Sequence, residues 1–384
     1  MGDGSTGFHR LTHTSAMPKH TLLCCVVLCL AACTPPATRQ VVPAAAKPQP
    51  LAIVPERYVS ADDARDELDS LATWPAEDGR TWLIATAKST HTLVVFDADT
   101  GERLRSVGGK GAAPGQFLRP NGIAVFGNHV FVAERDNHRV QVLSLPDFAP
   151  LGEFGAAELR APYGLWIDET GPGEYDVYVT DSFMDGESHD QVPPFEQLDL
   201  RVRRYHLSFD DDDHFTTRDE GAFGDTSEAA ALRIVESIAG DPAQKRLLIA
   251  DEFTSDEGRR HASNLREYTF DGQATGRELP AGAFEAEAEG VALWSCDAEA
   301  GYWVAADQRY PLTRFLLFDR DTLAPRGAFT GETVAHTDGI ALHAATTAAF
   351  PSGALFAVHD DKAVAAFDLG EVARALELDP RCTE

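Results

Sequence analysis

Basic residues are scarce in this sequence. Lys and Arg together number 33 against 61 Asp and Glu, so the 384-residue chain carries a formal net charge of -28. A protein that binds nucleic acid needs clustered cations to release counterions from phosphates, and no basic patch is present here. We therefore expect no nucleic-acid partner. The acidic excess suits a solvated surface and also suits a protein that collects cations; composition alone leaves both interpretations open.

No apolar run is long enough to cross a bilayer as a helix. A short basic start and the apolar stretch Thr21–Leu30 are followed by Ala-Ala-Cys33, which predicts a signal peptide over residues 1–32. Its end resembles a bacterial lipobox, which would attach lipid to Cys33. The Pro/Ala-rich residues 33–50 predict an extended tether. We expect a lipid-anchored protein of the bacterial cell envelope, most consistent with the outer membrane, whose only membrane contact is the N-terminal lipid.

Cysteine is also rare beyond the N-terminus. Of the six cysteines in the chain, only Cys296 and Cys382 follow residue 33. In an oxidising compartment a disulfide between them is the natural hypothesis, and two separate buried thiols are the alternative. In the chain-entropy treatment, closing so long a loop would stabilise the fold by about 4 to 5 kcal/mol.

The remaining chain, residues 51–384, contains one unit six times. Each unit opens with an oxygen-bearing residue, a small residue and an apolar pair, followed by a second and a third apolar run. Units of roughly 40 to 50 residues with four short strands are typical of a β-propeller. We predict an all-β fold, a six-bladed β-propeller with four-stranded antiparallel blades around a central channel. The openings are DSLATW (Asp69), NGIAVF (Asn121), YGLWID (Tyr163), ESIAGD (Glu236), EGVALW (Glu289) and DGIALH (Asp338).

Two segments refine this prediction. GQFLRPNGIAVFGNHVFVAERDNHRVQVL, in the second unit, resembles an NHL repeat. The last unit lacks an obvious outer strand. We expect LAIVPERYV, Leu51–Val59, to supply that strand and close the ring.

The six openings should meet at one mouth of the channel, because the first strand of each propeller blade lines the axis. Carboxylates crowded there need a counter-charge. Ca²⁺ prefers such hard oxygen ligands in flexible numbers. The stretch EAEAEG would place Glu285, Glu287 and Glu289 on one side of an extended chain, and we expect Glu287 and Glu289 to hold one ion. The alternative is that acidic residues at strand starts serve only as turn caps.

The ends of the second strands should reach the same face. Fixed cations beside metal-holding carboxylates make a site for a polyanion such as phosphate. Turn caps would not explain the two cations, Lys88 and Arg135. The predicted second ring comprises Lys88, Arg135, Ser182, Glu252, Gln308 and His359-Asp360.

These residues resemble the β-propeller phytases, calcium-dependent enzymes that remove phosphate from inositol hexakisphosphate. The likeness runs roughly from Asp66 to Leu378 and rests on DSLATW, on YGLWID with FEQLDL, and on HTDGIALH with FPSGALFAVHDD. It implies attack on phosphorus by a calcium-activated water, with no covalent enzyme intermediate. Carried over by position, it assigns calcium to Asp69, Tyr163, Glu236, Glu252, Glu287, Glu289, Gln308 and Asp338. It assigns substrate phosphate to Lys88 and Arg135, and catalysis to these two with Glu252 and Glu289.

Three positions depart from the phytase pattern. Ser70 replaces a second Asp, Glu287 replaces an Asp, and Ser182 stands where the family has a phosphate-binding Lys, in an insertion from Asp181 to Pro194. The losses would weaken calcium and phosphate binding or shift the substrate toward something smaller.

From these patterns we expect a monomeric calcium-dependent phosphomonoesterase acting on phytate or a related organophosphate. One alternative is a non-catalytic NHL-like propeller that binds a ligand or partner protein. The other is a calcium-dependent propeller lactonase.

Overall fold

The computed structural model describes residues 51–254 and 263–383. The predicted signal peptide, Cys33 and the tether therefore lie outside the described residues. The described strands form six sheets, and the first strands of successive sheets contact one another in a closed cycle. This is a six-bladed β-propeller, which confirms the predicted fold class. None of the helices in the described part of the chain has the length and apolar character needed to cross a membrane.

Each blade is an antiparallel meander whose innermost strand comes first in the chain. Two short strands precede the first blade: β1 (Leu51–Ile53) and β2 (Tyr58–Val59). Blade 1 contains β3 (Leu68–Pro75), β4 (Thr81–Ala87), β5 (Thr92–Asp97) and β6 (Arg103–Gly108). Blade 2 contains β7 (Pro120–Phe126), β8 (His129–Glu134), β9 (Arg139–Ser144) and β10 (Ala149–Phe154). Blade 3 contains β11 (Pro162–Gly171), β12 (Glu174–Asp181), β13 (Val202–Phe209) and β14 (Phe215–Phe223).

The second half of the chain repeats the arrangement. Blade 4 contains β15 (Val235–Asp241), β16 (Arg246–Asp251), β17 (Asn264–Thr269) and β18 (Ala274–Glu278). Blade 5 contains β19 (Glu287–Ser295), β20 (Gly301–Gln308), β21 (Arg314–Asp319) and β22 (Pro325–Thr330). Blade 6 contains β23 (Ile340–His343), β24 (Ala354–His359) and β25 (Ala363–Asp368). The described helices are α1 (Leu369–Ala375) and short 3₁₀ turns at Arg135–Asn137, Phe195–Leu200 and Pro380–Cys382.

Burial falls from the second strand to the outer strand of a blade. Every residue of β4 and β20 is buried, because neighbouring blades cover both faces of the sheet. The outermost strand β6 alternates exposed and half-buried residues. The apolar core thus lies between blades, where removal of apolar surface from water stabilises the ring.

The N-terminal segment closes the ring, but it is divided between two blades. Tyr58 and Val59 pair antiparallel with β25 and complete blade 6. The Tyr58 hydroxyl also donates to the carbonyl of Ala98 in blade 1, at 2.8 Å. Leu51–Ile53 instead pairs parallel with β22 and becomes a fifth strand of blade 5. The closing role predicted for Leu51–Val59 therefore belongs to its last two residues.

The C-terminal segment is attached to blade 5. Cys296, just after β19, and Cys382 form a disulfide across 86 residues of sequence. Between them in sequence, α1 is capped at its N-terminus by Asp368, whose side chain accepts the backbone N–H of Glu371 at 3.0 Å. The disulfide thus fixes the last turn of the chain against the propeller.

Candidate functional site

Close approach between first strands brings the predicted ring residues together. A Cβ added to Gly122 would lie 2.0 Å from the carbonyl oxygen of Tyr163 in the next blade. A Cβ added to Gly339 would lie 2.3 Å from the carbonyl oxygen of Asp69. No larger residue fits these positions without moving a neighbouring backbone. The small residue of each repeat opening therefore sets the spacing of the channel mouth.

Buried threonines tie second strands to the next blade. The Thr86 hydroxyl accepts the backbone N–H of Ser70 at 3.0 Å and donates to the carbonyl of Asn121 at 2.6 Å. Thr180 likewise donates to the carbonyl of Glu236 at 2.8 Å. These bonds hold the backbone of ring residues in place from behind.

In blades 4 and 5, a buried aspartate near the end of the second strand holds the loop that precedes the first strand. The Asp251 carboxylate accepts the backbone N–H groups of Arg233 at 3.1 Å and Ile234 at 3.0 Å, just before the first strand of blade 4. Asp307 makes the equivalent bonds in blade 5. The loop is thereby fixed, and Glu252 comes directly after this anchor at the channel mouth.

Lys88 links two predicted calcium ligands. Its ammonium lies 3.0 Å from Asp69 Oδ2 and 3.2 Å from Asp338 Oδ2, and the residue is only 7% exposed. Tyr163 donates its hydroxyl to Asp69 at 2.8 Å, and the Gln308 amide donates to Asp338. Burial alone would lower the pKa of Lys88, but the two carboxylates raise it above its usual value. This half of the ring contains its own counter-ion.

The other half of the ring has no such counter-ion. Carboxylate oxygens of Glu236, Glu252 and Glu289 all lie within 4.8 Å of one another, and no ion pair to a described Lys or Arg joins them. Burial raises the pKa of Glu236 to about 7, and the charge of Asp69 adds to the effect. Burial and the neighbouring glutamates raise the pKa values of Glu252 and Glu289 well above their usual range. The trio must hold protons or bind a cation.

Two observations show that the donor set fits a hard divalent cation. Glu252 Oε1 is buried and has no hydrogen-bond partner among the described residues. Asn121, in the ring and 0% exposed, leaves both side-chain polar atoms without a partner in the same part of the chain. Buried polar atoms are nearly always satisfied, so water or an ion is required at these atoms. Carboxylate, amide and phenol oxygens are suitable ligands for Ca²⁺.

A second group of possible ligands shares Asp338 with the ring. His336, Asp338 and Asp361 each offer a ligand atom within 4.8 Å of the others. The sequence pattern pointed to His359-Asp360, and the structure places the next residue, Asp361, in this group. His359 Nδ1 accepts the backbone N–H of Ala335 at 3.1 Å. The sharp turn after β24 places Asp361 at the mouth, one position further along the sequence than predicted.

The alternating glutamates do not all face the ring. Glu285 forms ion pairs with Arg309 at 2.9 Å and Arg314 at 2.7 Å, because β19 begins only at Glu287. Glu287 is exposed at the rim, and its charge contributes to the raised pKa values of Glu252 and Glu289. The expectation that three carboxylates share one side is therefore wrong for Glu285.

The charges of Lys88 and Arg135 both lower the pKa of Glu67. Burial would raise the pKa of Glu67, but a hydrogen bond from Ser89 and the charges of Lys88, Arg119 and Arg135 hold it below its usual value. The two cations of the second ring thus lie on the same side of the mouth.

A cavity of about 620 Å³ opens beside the ring, between blades 2 and 3. Tyr163 and Glu236 form its inner wall, and Ser182 and the two guanidinium groups of Arg135 and Arg160 lie on the outer wall. Arg135 is 39% exposed and donates from Nε to Asp136 at 2.8 Å. Arg160 escaped the sequence prediction because it precedes β11 outside any recognisable motif.

Comparisons with known proteins bear on the repeat and the fold. The NHL repeat family model matches residues 117–143, which confirms the NHL-like character of the second unit. This match covers one repeat and assigns no family to the whole chain. A sequence comparison with curated proteins returns no match.

Solved structures show the same architecture at low identity. A gluconolactonase from Xanthomonas campestris has 13% identity and a TM-score of 0.52, covering 84% of this chain and 99% of its own. Hydrazine synthase from Kuenenia stuttgartiensis has 12% identity and a TM-score of 0.48, covering 80% and 97%. At such identity the likeness shows the fold alone. The phytase resemblance gains no support from these comparisons, whereas the lactonase alternative has a structural neighbour.

Proposed function

We propose that the channel mouth is a calcium-dependent hydrolytic site whose substrates are phosphate monoesters. The observation that carries this proposal is that one cavity borders both the acidic ring and two arginines. The cavity that contacts Tyr163 and Glu236 of the acidic ring also contacts Arg135 and Arg160. An anion held by the two guanidinium groups would lie beside the cluster of oxygen ligands.

The residues proposed to hold calcium surround the mouth from five blades. The unpaired trio of glutamates supports this assignment, because three crowded carboxylates, one buried and two half-buried, repel one another without a cation. Calcium bound there would offset their charge and make a bound water more acidic. The proposed ligands are Asp69, Tyr163, Glu236, Glu252, Glu287, Glu289, Gln308 and Asp338.

The two predicted phosphate-binding cations have different environments. Lys88 is buried between the carboxylates of Asp69 and Asp338, so its main role is to hold these two side chains in position. Arg135 is half-exposed at the cavity, and its guanidinium can pair with two phosphate oxygens. In the proposed reaction a water oxygen bonds to phosphorus, and the P–O bond to the alcohol breaks with its electron pair on the alcohol oxygen. One proton of the water passes to that oxygen, and the alcohol and inorganic phosphate leave.

Lactone hydrolysis is the second candidate, and the gluconolactonase comparison favours it. Oxygen ligands in a propeller channel would suit that reaction as well. A neutral lactone gives no reason to place Arg135 and Arg160 on the cavity wall, which is why we rank the phosphate ester first. A binding propeller without catalysis would also use an open cavity, but it would not need unpaired glutamates beside it.

The test measures phosphate release from a small aryl phosphate with calcium and with a chelator. We expect release to depend on calcium and to fall by about 100-fold or more in Glu289→Ala, since a ligand inside the catalytic cluster is lost. Glu285→Ala is the matched control, because Glu285 belongs to the same segment but pairs with Arg309 and Arg314 outside the cluster. Its activity should stay close to that of the unchanged protein.

Other results of these assays would favour one of the alternative functions. Calcium-dependent hydrolysis of a sugar lactone without phosphate release would support the lactonase. Absence of both reactions would leave the binding propeller. Phosphate release that ignores the chelator and Glu289→Ala would contradict the proposed site.

We also propose that the protein acts at the bacterial cell envelope, anchored by lipid on Cys33. The N-terminal sequence pattern supports this location. Labelling with a radioactive or clickable fatty acid should mark the unchanged protein and not Cys33→Ser.

A further inference from the structure

We infer that the preferred substrate carries a single phosphate on a compact alcohol with an apolar face, and that phytate is a poor substrate. This inference rests on the proposed function and concerns the cavity between blades 2 and 3.

The charges of the cavity wall suit one phosphate. Its two arginines, Arg135 and Arg160, are opposed by three carboxylates, Asp136, Asp185 and Glu236. Arg135 is already bonded to Asp136. A phosphate monoester brings a charge of about -2, and the two guanidinium groups of this wall can donate hydrogen bonds to the oxygens of one such group. Further phosphates on the same molecule would face carboxylates in a sheltered site, where like charges repel strongly.

The insertion after β12 gives the cavity its outer wall. Ser182 lines the cavity and supplies a hydroxyl where a cation would serve a second phosphate. Phe183 and Met184 follow it; Phe183 is only 5% exposed, so the apolar surface open to the cavity comes mainly from the half-buried Met184. An alcohol that carries an apolar ring face would bury this surface, whereas a fully phosphorylated ring would not.

Arg160 is held in place by the same insertion. Its guanidinium carbon lies 4.1 Å from the centroid of the Phe183 ring, and it donates to Gln197 at 3.3 Å. Stacking of this kind orients the guanidinium at little further entropic cost. The insertion therefore positions one cation, Arg160, and supplies only the Ser182 hydroxyl where a second phosphate would need another cation. The volume of about 620 Å³ also matches sites for small ligands.

The experiment compares an aryl monophosphate with phytate in calcium at pH 8, above the range in which imidazole side chains titrate. We expect kcat/KM to favour the monophosphate by about tenfold or more, which corresponds to one charged hydrogen bond. Ser182→Lys should shift this ratio toward phytate by a similar factor. Gln191→Lys is the matched control, since it adds the same charge to the same insertion at an exposed residue off the cavity wall.

The outcomes separate this inference from the function on which it rests. Faster hydrolysis of phytate by the unchanged protein would overturn the inference and leave the phosphomonoesterase intact. Equal shifts in the Ser182→Lys and Gln191→Lys variants would also overturn it, because the effect would then come from overall charge. Failure to release phosphate from either compound would refute the proposed function itself.

Discussion

At the scale of single residues, the channel mouth places carboxyl groups where burial disfavours their charge. Glu236, Glu252, Glu289 and Asp338 all have raised pKa values, and burial is the first cause for each. Lys88 compensates Asp338 and Asp69, whereas the glutamate trio has no equivalent partner among the described residues. The cost of holding these groups together is the physical basis for proposing a metal site.

These pKa shifts predict how the stability of calcium-free protein depends on pH. A carboxyl whose pKa is higher in the folded state binds protons more tightly there than in the unfolded chain. Its contribution is therefore present at low pH and is lost as pH rises from the ordinary value of 4.5 to about 7 for Glu236. With chelator present, we expect the melting temperature to fall across this window. Calcium should remove most of the fall, because it replaces the protons.

Thermal melts at several pH values, with calcium and with chelator, check this prediction. Glu289→Gln should flatten the decline because one crowded carboxylate is gone, and Glu285→Gln should leave the decline unchanged. A calcium effect that is larger at pH 5 than at pH 7.5 would be inconsistent with protons and calcium competing for the trio.

At the scale of elements, the site depends on how closely first strands approach one another. The small residue of each opening and the buried threonines hold neighbouring strands together at the backbone. These backbone contacts set the spacing between the ring side chains. The repeat motif is thus a packing requirement as much as a chemical one.

Gly122→Ala tests this dependence. The added methyl group would lie 2.0 Å from the Tyr163 carbonyl, so one strand must move, at a cost of about 1–3 kcal/mol. We expect a lower free energy of unfolding in urea and weaker calcium binding by calorimetry. Gly171→Ala is the control, since its nearest neighbour would be 3.8 Å away. An equal loss in both variants would argue that helix and strand propensity, rather than the close approach, is responsible.

At the scale of the whole molecule, both ends of the described chain fasten the ring. β2 completes blade 6 and contacts blade 1 through Tyr58. The disulfide joins the C-terminal segment to blade 5. Since the strands of each blade pack mainly against the two adjacent blades, an opened ring would lose packing on two faces at once.

Removal of the disulfide should lower stability without changing the chemistry. Replacing Cys296 and Cys382 with Ser would release a loop of 86 residues, and the chain-entropy estimate is a loss of about 4.5 kcal/mol. We expect a lower urea midpoint, with kcat retained in folded protein because the disulfide lies away from the channel mouth. A midpoint unchanged by the double substitution would show that the C-terminal segment is held by packing alone.

The sequence by itself determined the blade count, the strand order and the identity of most mouth residues, because these follow from local patterns that recur in every unit. It also indicated that an N-terminal strand closes the ring. Only the tertiary structure decided which side chains face the channel. Glu285 lies before the start of β19 and pairs with Arg309 and Arg314, and the turn after β24 brought Asp361 close to Asp338. Arg160 joined the cavity from the loop that connects blades 2 and 3. Such placements depend on contacts between residues far apart in the chain, and no local pattern records them.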